Sequence, residues 1–185
     1  ILQIFNLNKK INNLFNYIFK GFKIIIFGLF ILHTIGLIAR GYVSGHAPWS
    51  DAYESMIYVA WATMGIGLLF AKKSDLTLAS TSFVASMILM IAHWNWMDPS
   101  IANLVPVLDS YWLMIHVSVI TSSYGFFGLC AFLGLLNLFL IGFSNQSQIK
   151  SNVSTLTVIN EQSMMIGLFL LTIGTFLGGV WANES

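Results

Sequence analysis

The chain has 185 residues, of which 57% are hydrophobic and only 8% charged, with a net charge of +1. Soluble domains carry about 25% charged residues, so this composition excludes an ordinary soluble fold and points to a protein that crosses a bilayer several times. The charge balance offers no basic face to phosphates, which excludes a nucleic-acid partner. The single cysteine, Cys130, excludes an internal disulfide and any CxxC or CxxCH motif, and in its apolar run it reads as a small buried hydrophobe.

Residues 1–20 are amphipathic, with Lys9, Lys10 and Lys20 set among Ile, Leu and Phe and no small-residue cleavage site. They predict an interfacial helix on the cytoplasmic surface. The first residue, Ile1, also fits a piece of a longer polypeptide. From residue 21 onward the chain reads as one transmembrane domain. A membrane helix needs about 20 mostly apolar residues, and five runs qualify: 21–39, 53–71, 76–94, 111–143 and 163–181. The expected fold is therefore an all-α polytopic bundle, and its fourth run is over-long. Small residues recur in these runs (Gly67, Gly125, Gly174 and Gly178 among them), as close helix contacts in lipid require.

Lysines set the orientation. Lys9, Lys10, Lys20 and Lys23 lie before or at the very start of the first span, Lys72 and Lys73 follow the second, and Lys150 follows the fourth. All fall on one side if every run spans, and that side is predicted to be cytoplasmic. The outer side then receives residues 40–52, 95–110 and the C-terminal end. It also receives five of the six tryptophans, all but Trp61. An aromatic belt is expected at both interfaces, so the one-sided excess suggests more than anchoring.

Among the polar groups near this side, His116 lies early in the fourth run. A neutral imidazole there is either a ligand for haem iron or zinc, or a group hydrogen-bonded to a neighbouring helix. His33 lies deeper in the first run and has the same two readings, whereas His46 and His93 are placed at the surface. Arg40 ends the first span against the positive-inside trend. Its guanidinium is expected to pair with Asp51 or Glu54, or with a ligand carboxylate. Asp51 and Glu54 are spaced as a capping box for the second helix. No P-loop, nucleophile elbow or zinc ligand cluster occurs.

Three stretches go further: RGYVSGHAPWSDAYESM (40–56), LDSYWLMIHVSVITSSYGFFGL (108–129) and GTFLGGVWANES (174–185). Together they resemble the cytochrome c assembly family, in its CcsA/ResC branch of System II cytochrome c biogenesis, which some bacteria fuse behind CcsB. The resemblance implies a protein that moves haem (haem b, as ligand and substrate) to the outer surface of the bacterial inner membrane. There the haem is presented to the CxxCH motif of an apocytochrome c, with a CcsB/ResB-like subunit or fused domain as partner. In that family two outer histidines hold the iron beside a tryptophan-rich WWD loop. His116 matches the first of them, and Trp181 to Ser185 match the segment just before the loop. The expectation is thus a partial copy that stops before the WWD motif and is not an active synthase alone. As further hypotheses, Trp49 and Trp181 offer aromatic faces to the porphyrin and Arg40 meets a propionate. The competing readings are a System I haem-handling protein, a dihaem cytochrome b, and an inert structural fragment.

Overall fold

Inside a bilayer no water completes backbone hydrogen bonds, so apolar runs of this length must satisfy their own as helices. The computed structural model describes residues 12–94, 98–101, 111–143 and 147–184. These form α1 (Asn12–Ser44), α2 (Ala52–Phe70), α3 (Asp75–His93), α4 (Tyr111–Phe143) and α5 (Ser147–Glu184), with no strand among the described residues. All five helices are long and apolar enough to cross a membrane. The all-α polytopic architecture is as expected from the composition.

Helices α2, α3 and α4 fall within a residue of the expected runs. Two others differ. Helix α1 continues past residue 39 to Ser44, so Arg40 sits within its last turns and not in a loop. From Asn12 onward the amphipathic segment and the first span are one unbroken helix; residues 1–11 lie outside the described residues. Helix α5 begins at Ser147, sixteen residues before the expected 163. That stretch carries Asn152, Ser154, Thr155, Asn160 and Glu161 and is too polar to read as a span. It is helical because Leu156 and Ile159, three apart on one face, are buried in the main core cluster.

That cluster sets the packing. Phe126, Leu129, Leu133 and Leu140 of α4 repeat at intervals of three, four and seven, and meet Leu156 and Ile159 of α5 and Ile66 and Phe70 of α2. The pairing of α4 with α5 is the most extensive, that of α2 with α3 is next, and α1 packs mainly on α2. Lipid tails are as apolar as the side chains, so helices associate by close fit and interhelical hydrogen bonds. At Gly67 of α2 a Cβ would run into the side chain of Thr81, which fixes how near α3 comes. Hydrogen bonds add Trp61 Nε1 to Thr34 Oγ1 at 2.8 Å between α2 and α1, and Asn137 Nδ2 to Thr157 Oγ1 at 3.2 Å between α4 and α5.

Ionic contacts mark both ends of the bundle. Lys23 of α1 pairs with Asp75 of α3 at one end, where Lys73 also donates to Gln162 of α5. Arg40 of α1 pairs with Glu54 of α2 at the other. Lys23 and Arg40 are seventeen residues apart on one helix, or roughly 26 Å, close to the thickness of a bilayer's hydrocarbon. Residues 147–161 of α5 extend beyond the Lys73–Gln162 contact, which explains why α5 is longer than a membrane requires.

Candidate functional site

The end of the bundle marked by Arg40 gathers most of the side chains singled out in the sequence. Helix α1 stops where Gly45 adopts a positive φ of 71°, its N–H reaching Gly41 O at 3.1 Å, a left-handed helix end that favours glycine. The chain then turns through Pro48 and Trp49 to Asp51. Asp51 caps α2 as expected, its Oδ1 accepting the N–H of Glu54 at 2.6 Å. Replacing Asp51 with Ala is expected to cost about 1 kcal/mol, read as a lower midpoint in thermal unfolding followed by helicity.

The Glu54 carboxylate departs from the capping-box pattern. It accepts the Ser50 N–H at 2.9 Å instead of the N–H of Asp51, and Arg40 Nε at 2.9 Å, with its side chain 0% exposed. Arg40 also donates from Nη1 to Pro99 O at 2.9 Å and from Nη2 to Ser100 O at 3.4 Å, and its guanidinium lies 5.0 Å from the centre of the Tyr53 ring. Of the two expected kinds of partner, the structure places Arg40 against the protein carboxylate. It binds the α1–α2 loop to the segment that leaves α3. His46 is half-buried beside this pair, Nδ1 3.1 Å from Ala47 O and 3.7 Å from Glu54 Oε2. On the same segment the N–H of Ser100, and then its hydroxyl, hold the Asp98 carboxyl below its ordinary pKa.

Trp49 is an anchor for the loop. Its Nε1 donates to Met114 O of α4 at 3.2 Å, and its ring packs 4.9 Å from that of Tyr58. Tyr58, Trp61 and Phe30 continue the column at 5.7 Å per step. Trp49, Tyr58 and Trp61 line an apolar cleft of about 280 Å³ together with Leu37, Ile38 and Pro48.

His116 occupies a different seam. It is half-buried in the second turn of α4, with Nδ1 2.6 Å from Gly174 O of α5, and its ring lies against Gly178. A carbonyl only accepts, so Nδ1 carries a proton, and in the neutral ring Nε2 keeps the lone pair. Trp181, also half-buried, stands three residues beyond Gly178 on the same stripe of α5. The face of α4 turned to α2 carries Ser122, bonded to Tyr58 OH, and Gly125, against Thr63. These lie roughly 240° and 180° around the helix from His116. The structure therefore makes two groups: His116 with the α5 stripe of Trp181, and Arg40 with Trp49 on the α1–α2 side. The Trp49–Met114 bond, two residues from His116, joins them.

His33 is half-buried and lines a separate groove with Met64 and Ser82, while His93 is exposed at the end of α3. Trp96 lies outside the described residues. No cluster of three or more His, Cys, Asp or Glu in metal-binding arrangement occurs among the described residues. An imidazole whose Nδ1–H is held by a backbone carbonyl has the orientation that metal-ligating histidines share, on haem iron as on zinc. The Arg40–Glu54 pair is one of the partnerships expected from the sequence, whereas Gly174 and Gly178 are legible there only as general helix contacts. Nothing local signals that these two glycines meet His116.

What these features define is a multi-pass membrane helix bundle with an oriented imidazole near one end. A family model described as "Cytochrome C assembly protein" matches residues 49–185, and the chain belongs to that family. It is 53% identical over 159 residues to Protein NrfI of Wolinella succinogenes, an alignment covering 85% of this chain and 18% of NrfI. It is 30% identical over 184 residues to the cytochrome c biogenesis protein CcsA of Prochlorococcus marinus strain MIT 9301, covering 84% of this chain and 60% of that protein. Over 203 residues it is 32% identical to CcsA of Guillardia theta, covering 96% and 66%. The chain thus spans less than a fifth of NrfI and about three fifths of the CcsA relatives.

Proposed function

We propose that this chain is the haem-handling part of a System II cytochrome c biogenesis protein, holding haem iron through His116 Nε2 at the outer end of the bundle. The observation that carries the reading is the His116–Gly174 bond, which leaves Nε2 as the ring's free electron pair in a chain of this family. Trp181 supplies an aromatic face beside the ring. Arg40 and Trp49 hold the outer loops in register with α4. The lysine-bearing end faces the cytoplasm of a bacterial inner membrane by the positive-inside rule, and the His116 end faces outward.

The chemistry belongs to haem and to the thiols of an arriving apocytochrome c. Each cysteine S–H adds across a haem vinyl C=C, forming one C–S and one C–H bond with no net oxidation. The protein contributes position: one axial nitrogen, aromatic walls and a fixed outer rim. A CcsB-like subunit or domain is the expected membrane partner. Titrating the purified chain in lipid nanodiscs with haem tests the reading. Saturable binding with a histidine-ligated absorption spectrum is the expected result; haem that only partitions into lipid would mark the chain as a structural element.

A further inference from the structure

Gly174 and Gly178 stand where His116 meets α5, and they do different things. The Gly174 carbonyl takes the imidazole N–H at 2.6 Å, in addition to its place in the helix's own ladder. Gly178 makes room: a Cβ there would lie 2.6 Å from His116 Cε1, 2.9 Å from Nδ1 and 3.3 Å from Nε2. The crowding is local, because a Cβ at the neighbouring Gly179 meets nothing within 4 Å. An imidazole packed against a bare backbone, with its Nδ1–H donated to that backbone, has its ring orientation and, in the neutral form, its tautomer both fixed.

We propose that Gly178, through the His116–Gly174 bond, is a positioning residue for the haem ligand, setting the direction and basicity of Nε2. The proposal rests on His116 being that ligand. With a methyl group at 178, the ring must swing away from Cε1 contact and the Nδ1–H leaves the Gly174 carbonyl. The N–H is then unpaired in an apolar seam, and Nε2 loses its fixed direction. Loss of such outer partners typically weakens metal binding about 10- to 100-fold.

The test compares haem binding by the unchanged chain, Gly178→Ala, Gly179→Ala, His116→Ala and the His116→Ala/Gly178→Ala double variant, all in nanodiscs. Gly178→Ala is expected to lower haem affinity at least about tenfold and to shift the reduction midpoint, Gly179→Ala to change neither, and the Gly178 effect to vanish without His116. A Gly178→Ala chain with wild-type affinity and midpoint overturns the proposal. So does an equal loss with and without His116, which would reveal a general packing defect. If His116→Ala keeps the wild-type spectrum, the ligand reading falls and this inference falls with it. A second measurement needs no variant. Nitrogen NMR of the haem-free chain labelled at histidine should find His116 protonated at Nδ1 and bare at Nε2; the opposite tautomer overturns the proposal even where Gly178→Ala does not fold.

Discussion

Arg40→Ala is expected to destabilise the bundle by about 3–5 kcal/mol, because it strands the fully buried Glu54 carboxylate. The Ser50 N–H would remain as a partner for that carboxylate, but the countercharge would be gone. The carbonyls of Pro99 and Ser100 would lose their donors at the same time, freeing the segment after α3 from the α1–α2 side. Chemical unfolding in detergent, followed by helicity, reads the change. Replacing both partners with apolar residues, Arg40→Met with Glu54→Leu, should recover most of the loss, since a buried ion pair seldom outperforms a well-packed apolar one. A single Arg40→Ala variant with unaltered stability would show that Glu54 is wetter than its position implies. The consequence for function is practical. Haem loss in Arg40→Ala alone would report a loosened rim as readily as a lost propionate contact, and the double replacement separates the two.

His116→Ala is expected to lower haem affinity at least about 100-fold, more than loss of an outer partner alone. The cavity it leaves lies against Gly174 and Gly178, which offer no replacement side-chain ligand. Stability should change much less than in Arg40→Ala, because the ring is only half-buried and forms a single bond to α5. The two variants thus dissociate: one unfolds the rim with its ligand intact, the other keeps the fold and releases haem. Absorption spectra and unfolding curves on the same preparations check this. Retention of a wild-type spectrum by His116→Ala would contradict the assignment.

The residues differ in how openly they declare themselves. The bounds of α4 were legible because residues 111–143 are mostly apolar and carry no Lys, Arg, Asp, Glu or Pro. The start of α5 was not, because its first turns are polar and become helical only by burying Leu156 and Ile159. Asp51 as a cap was legible from local spacing alone. Glu54 was half legible: its spacing suits a cap, but its burial depends on α1 running to Ser44 and carrying Arg40 into reach. His116 could be picked out as a costly ionisable group in a span, and the family resemblance gave it a role. Its seat could not, since the bond to Gly174 joins residues 58 apart in sequence and follows from how α4 and α5 pack. The same holds for Trp49, whose contact with Met114 spans 65 residues and makes it an anchor for the α1–α2 loop.

Nε2 of His116 is the one nitrogen of this chain proposed to bind haem iron. Magnetic resonance of the ferric, haem-loaded chain carrying isotopically labelled histidine measures that directly. A strongly coupled histidine nitrogen should appear, survive His33→Ala and vanish in His116→Ala; its persistence without His116, or its loss without His33, would contradict the account.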